Sequence, residues 1–233
     1  MGNVIQFERP DGNSLNGYLA EAENPIGSVV VIQEWWGLND QIRGVADRFA
    51  RAGLTALVPD LYRGKSTVEQ EEAHHLMDNL DFGDAASNDI RGAATYLKSR
   101  NIGSGKVGIT GYCMGGALTV LSMMMVPEAD AGVIWYGVPP LDYVDAAKIG
   151  AGRPLMGHWA EQDQAFPIAS VDAFEAKLKE AGVDYEGYRY LAQHAFANET
   201  AVGPGRVAFT QYDPVWAQLA WDRTLRFFGQ HLS

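Results

Sequence analysis

Residues 107–116, Val-Gly-Ile-Thr-Gly-Tyr-Cys-Met-Gly-Gly, decide how this chain is read. A short apolar run reads as a strand, the glycine-flanked centre as a sharp corner, and the residues beyond the corner as the first turn of a helix. Gly111-Tyr112-Cys113-Met114-Gly115 carries the spacing of a nucleophile elbow, with sulfur at the corner in place of the commoner serine oxygen. The glycines have a steric reason. A strand that turns at once into a helix brings backbone against backbone two residues on either side of the corner, where a Cβ would collide. Cys113 is the only cysteine in the protein. Most free cysteines are small buried hydrophobes, but one held at a helix N-terminus is biased toward thiolate.

Working outward, strand-like and helix-like segments alternate at short spacing. Residues 3–8 and 15–22 alternate apolar and polar around Asp11-Gly12-Asn13, which predicts an antiparallel hairpin at the start. Val29-Val30-Val31-Ile32 is a continuous apolar run, as in a strand covered on both faces. It leads through Glu34-Trp35-Trp36-Gly37 to a helix capped by Asn39 or Asp40 and stopped at Gly53. Strands are predicted at 54–58, 131–136, 154–159 and 184–191, and helices at 67–80, 85–98, 171–181 and 212–232. This pattern predicts an α/β fold with a mostly parallel sheet, an antiparallel N-terminal strand and helices on both faces. The chain reads as one domain over residues 1–233. In such sheets ligands sit beyond the carboxyl ends of the strands, so Glu34, Cys113 and the residues after Trp159 and Leu191 are expected at one rim.

Composition narrows the function. The chain has 233 residues and a formal net charge of −11. That charge disfavours nucleic acid and anionic membranes as partners and leaves a small molecule as the expected one. The longest apolar run, Leu118–Val126, is too short to span a bilayer. No signal peptide is recognisable and one cysteine cannot form an internal disulfide, so a cytoplasmic location is expected. No cofactor or metal site is expected: there is no glycine-rich phosphate loop, and His74 and His75 point about 100° apart on a helix. A monomer or a small homo-oligomer is expected.

A thiol nucleophile needs a histidine to take its proton and a third group to hold that histidine. Five histidines compete. His74 and His75 fall in a surface helix, and His231 lies at the C-terminus. His158 is in or just after a strand. His194 directly follows the last strand, and it alone fits the chain order nucleophile, acid, histidine with a terminal helix still to come. For the acid, Asp163 falls four residues beyond Trp159, on a loop at the rim, with Glu161 its nearest rival. Asp172 and Asp184 read as solvated charges on the next helix.

With these elements in place, the sequence resembles the dienelactone hydrolase (carboxymethylenebutenolidase) family of the α/β-hydrolase superfamily. The matching stretches are Gln33-Glu34-Trp35-Trp36-Gly37, Val58-Pro59-Asp60-Leu61-Tyr62, Gly111-Tyr112-Cys113-Met114-Gly115-Gly116, Gln162-Asp163 and His194-Ala195-Phe196. The resemblance implies an α/β-hydrolase fold, a catalytic triad of Cys113, His194 and Asp163, and hydrolysis of an ester or lactone through an acyl-thioenzyme. It further implies that Glu34 contacts the resting thiol and is displaced when substrate arrives. A carboxylate at the end of a buried strand is costly unless partnered, which suits such a role. Backbone N–H groups of Trp35 and Met114 are expected to form the oxyanion hole. Trp36, Tyr136, Trp159 and Asn198 are the candidates for the substrate pocket.

The departures bear on substrate. The family grips a substrate carboxylate with two arginines. One position is occupied here by Asn198, and ungapped alignment puts Gln70 at the other. Ala195 stands where the family has serine. Loss of two guanidinium groups removes bidentate recognition of an anion, unless Arg63 or Arg206 substitutes. The residues are compatible with three readings: a hydrolase of an ester or lactone, a related esterase for neutral or aromatic esters, and a catalytically silent α/β-hydrolase domain used for binding.

Overall fold

A computed structural model of the chain describes residues 1–150 and 152–233. Its eight strands form one sheet in the order β1-β2-β4-β3-β5-β6-β7-β8. β1 (Asn3–Glu8) and β2 (Ser14–Ala20) are the expected hairpin, and β2 lies antiparallel to β4 (Leu54–Pro59). From there the sheet is parallel through β3 (Gly27–Ile32), β5 (Val107–Tyr112), β6 (Ala131–Trp135), β7 (Leu155–Ala160) and β8 (Tyr185–Tyr190).

The helices divide between the two faces. α1 (Asp40–Arg51) and α7 (Pro214–His231) cover one. α4 (Arg91–Ser99), α5 (Met114–Met125) and α6 (Ile168–Glu180) cover the other. This explains the unbroken apolar run in β3. Val29 and Val31 pack into the core under α1 and α7, and Val30 and Ile32 into the core under α4 and α5. All four are fully buried, and each contributes about 1.5–3 kcal/mol of burial free energy. The outer strand β8 is half exposed and carries Glu186 and Arg189, charges that discourage pairing with another sheet.

Caps place the helix starts. Asn39 accepts from the Ile42 N–H at 3.1 Å, and Asp213 accepts from Val215 and Trp216 ahead of α7. α2 (Gln70–Asp78) is shorter than the predicted 67–80. The predicted helix over 85–98 is present, but its first part is not α-helical. A single turn, α3 (Phe82–Asp84), runs into a π-helical turn at Ala85–Ile90 before α4 begins. The wider turn carries Asp89 into the interior, where it meets Arg9 at 3.1 Å and Arg63 at 3.0 Å. Ion pairing of the buried carboxylate from both sides accounts for the local departure from α geometry.

Candidate active site

The strand ends bring the sequence candidates to one rim. Cys113 sits between β5 and α5 with φ +55°, a left-handed conformation that costs a non-glycine residue about 1–3 kcal/mol. Neighbouring glycines permit it. A Cβ on Gly111 would run into the Gly115 carbonyl, and a Cβ on Gly115 would lie 2.6 Å from the carbonyl oxygens of Ile32 and Gln33. The corner is pinned by the Cys113 N–H, which donates to the Trp135 carbonyl at 3.0 Å, and by the Cys113 carbonyl, which accepts from Gly116 at 2.8 Å. The sulfur is partly exposed and lines a pocket.

His194 enters the same pocket from the loop after β8. Its Nδ1 lies 2.7 Å from Asp163 Oδ2, with both side chains buried. The other Asp163 oxygen accepts from the N–H groups of Ala165 and Phe166 at 2.8 and 2.9 Å, which fixes the carboxylate. Nδ1 therefore carries a proton, and Nε2 is the nitrogen left for chemistry. Burial works to lower the His194 pKa, but the Cys113 sulfur and the Asp163 carboxylate outweigh it and raise the imidazole well above its ordinary range. The protonated imidazole is therefore favoured in this setting. Glu161, the rival acid, is exposed and does not line the pocket. His158, the rival base, is buried inside β7 between Tyr190 and Thr224, away from the pocket wall.

Glu34 is buried at the end of β3 and lines the pocket. The structure differs here from what the resemblance implies. The Tyr136 hydroxyl donates to Oε1 at 3.2 Å and the Asn198 amide to Oε2 at 2.7 Å, so neither carboxylate oxygen is hydrogen-bonded to the thiol. Burial raises the Glu34 pKa, while the His194 charge and the two donated hydrogen bonds pull against it without cancelling it. Asn198 is itself held by Thr200, whose N–H and hydroxyl both donate to its Oδ1. Tyr136 takes φ +38° and Ala195 φ +58°. Together with Cys113, three of the five non-glycine residues with positive φ among the described residues stand at this rim.

The pocket encloses about 730 Å³, a size suited to a small organic ligand. Trp35, Trp36, Met77, Phe82, Phe166 and Phe209 supply an apolar wall. The backbone N–H groups of Trp35 and Met114 donate to no acceptor among the described residues, and both residues line the pocket. Two of the pocket candidates are corrected. Trp159 is core: its indole N–H donates to the Tyr185 hydroxyl at 2.6 Å and its ring packs on Phe174, on the α6 face of the sheet. Tyr136 lies beneath the wall, where its hydroxyl reaches Glu34 and not the open volume. Gln70 lies exposed at the start of α2 and is not part of the lining. Arg63 forms a two-pronged pair with Asp89 and also lies outside the pocket. Arg206 does line it. Its Nε donates to the Thr210 carbonyl at 2.6 Å and its Nη1 to the Gly203 carbonyl at 3.2 Å. It is the only Lys or Arg among the described lining residues. The loop at 201–210 that carries it held no motif from which its place could be read.

Among the described residues no cluster of three or more His, Cys, Asp or Glu is placed to hold a metal ion. No helix of the described residues is long and apolar enough to cross a membrane.

Comparison with known proteins gives the family. The dienelactone hydrolase family profile matches residues 15–232. The chain is 33% identical to the Usf protein of Aquifex pyrophilus over the whole of both sequences. It is 30% identical, again over the whole of both, to a candidate carboxymethylenebutenolidase of Aquifex aeolicus strain VF5. A solved dienelactone hydrolase-like promiscuous phosphotriesterase from metagenomic libraries shares the fold, with a TM-score of 0.82 at 21% identity over 99% of this chain and 98% of that one. The chain belongs to the dienelactone hydrolase family, within the α/β-hydrolase superfamily.

Proposed function

We propose that this family member, with residues 1–233 acting as one α/β-hydrolase domain, hydrolyses a carboxylic ester or lactone through an acyl-thioenzyme on Cys113. His194 takes the thiol proton, and Asp163 holds the imidazole in the orientation that receives it. The thiolate attacks the substrate carbonyl carbon and forms a C–S bond. The carbonyl oxygen gains negative charge, which the N–H groups of Trp35 and Met114 stabilise. Collapse of this adduct breaks the C–O bond, and His194 returns its proton to the leaving oxygen. His194 then activates water, which cleaves the thioester, releases the acid and restores the thiol. Glu34, tied to Tyr136 and Asn198, is a second acid beside the nucleophile. Its burial raises its pKa, and the hydrogen bonds from Tyr136 and Asn198 hold it in place beside the nucleophile.

The observation that carries this reading is the Asp163–His194 pair, 2.7 Å apart and buried, opening onto the same pocket as a cysteine held at a strained elbow. Replacing Cys113 by Ala is expected to abolish hydrolysis of 4-nitrophenyl acetate while leaving the thermal unfolding midpoint in place. Turnover retained by the variant refutes the mechanism.

A second reading concerns substrate. The apolar wall and the neutral Asn198 favour neutral or aromatic esters over an anionic lactone. Comparing kcat/KM for a carboxylate-bearing lactone with that for its neutral ester decides: strong preference for the anion refutes this second reading and assigns Arg206 a larger part.

A further inference from the structure

On the opposite face of the sheet from α5, between α1 and α7, lies a second cavity of about 220 Å³ that the chemistry at Cys113 does not use. Its aromatic wall includes Tyr112, Trp135 and Trp221. Tyr112 and Trp135 stack at 4.9 Å with ring planes 27° apart. Trp135 is buried, and its indole N–H has no acceptor among the described residues. The Tyr112 hydroxyl, also on a buried side chain, makes no hydrogen bond among the described residues. A buried donor left unpaired costs about 1–3 kcal/mol, so the Trp135 N–H at this cavity calls for a partner from outside the chain, and the Tyr112 hydroxyl beside it is free to join in.

Charge sharpens what that partner is. Arg48 lies on the α1 side, its guanidinium 4.0 Å over the Trp221 ring and donating only to the Gln218 amide oxygen, at 2.9 Å. Glu199 lies on the loop side and accepts from the Gln41 amide at 3.2 Å. Among the described residues neither forms an ion pair, and they do not pair with each other. The cavity therefore presents a cation and, at its exposed edge, a carboxylate, neither of them in an ion pair, with one buried unpaired donor and a stack of rings. Water can hydrate both charges and satisfy the donors, but it leaves the apolar ring faces wet, where an aromatic ligand would cover them.

We propose that this cavity binds a small aromatic acid that also carries a hydroxyl or ammonium donor. The carboxylate goes to Arg48, with Trp135 and Tyr112 as further donors. The hydroxyl or ammonium goes to Glu199, and the ring lies against the aromatic wall. Ala197 and Glu199, on either side of Asn198, both line this cavity, so such a ligand borders the segment that holds Glu34. The binding itself does not depend on turnover at Cys113.

The test uses the full chain labelled with ¹⁵N, whose six tryptophans give separate indole N–H signals. Titration with 4-hydroxybenzoate is expected to shift the Trp135 and Trp221 signals with a Kd of about millimolar order. Benzoate and phenol, each lacking one end, should bind at least about fivefold more weakly. Arg48→Met should weaken 4-hydroxybenzoate at least about tenfold. Glu199→Gln should weaken it while leaving benzoate no weaker. Near-UV circular dichroism checks that each variant is folded. The proposal is overturned if no indole signal moves, if only Trp35 and Trp36 move (which places the acid in the active-site pocket), or if folded Arg48→Met binds as well as the parent.

Discussion

Two histidines of this protein are equally hidden from water and have opposite electrostatics. His194 meets the Asp163 carboxylate at 2.7 Å and the Cys113 sulfur across the pocket. Burial would lower its pKa, but the two negative partners raise it. His158 meets two hydroxyls, Tyr190 at 2.9 Å and Thr224 at 2.8 Å. There burial, with the nearby Arg223 charge adding to it, lowers the pKa to about 3. Burial is common to both sites, so it does not separate the histidine proposed as base from the one packed in the core. The partners do: hydroxyls hold a neutral ring in place, whereas a carboxylate and a thiol give it a proton to manage.

The largest effect that can break this contrast is on turnover. His194→Gln should lower kcat/KM by about 10³-fold or more. His158→Gln should keep kcat/KM within a few-fold and lose about 1–3 kcal/mol of stability, from disturbed hydrogen bonds. Ester kinetics and urea unfolding on both variants check this, and equal losses of activity would end the distinction.

The next effect is on stability against pH. His158 has a depressed pKa in the folded state, so its contribution is complete above the unfolded value of about 6.5. It is lost progressively as pH falls from there toward about 3, at up to about 1.4 kcal/mol per pH unit. His194 runs the other way: its contribution is complete below the unfolded pKa and is lost as pH rises through the raised folded value. Urea unfolding of the parent and of His158→Gln from pH 7 to pH 4 should give a shallower acid slope in the variant.

A smaller and more local shift tests the origin of the raised value. In Cys113→Ala the leading upward influence on His194 is gone, and burial is left to oppose Asp163 alone. An NMR titration of His194 should therefore find a lower pKa than in the parent, and an unchanged value would mean that Asp163 does all the raising. The smallest expected effect is at Arg206. A partly exposed guanidinium contributes about 0.2–1 kcal/mol to an ion pair. Arg206→Met should then reduce the ratio of kcat/KM for anionic over neutral esters no more than about fivefold.

Much of this arrangement was legible in the residues. The run Val29–Ile32 announced a strand covered on both faces, and the glycines around Cys113 announced the elbow, because each reflects a local steric or solvation demand. Asp163 and His194 followed from chain order and from lying just past strand ends. What stayed hidden depended on contacts distant in sequence. The π-helical turn at Ala85–Ile90 serves an ion pair with Arg9 and Arg63, which no periodicity within the turn encodes. Trp159 and His158 are adjacent, and the strand's alternation sends one toward α6 and the other toward α7. Nearness to a strand end does not say which of the two looks into the pocket. Asn198 was visible as a departure from the family, but its use as a partner for Glu34 needed the fold.

At the elbow, the strain resides entirely in the main chain. The φ of +55° and the crowding around Gly111 and Gly115 involve backbone and Cβ positions only. Any residue with a Cβ would meet the same constraints, and none of them senses the atom attached beyond it. The corner is thus a socket whose shape is independent of the tool it holds. Exchanging sulfur for oxygen there would alter acidity and nucleophilicity with the same scaffold beneath, and so the proposed nucleophile is replaceable without refolding the molecule around it.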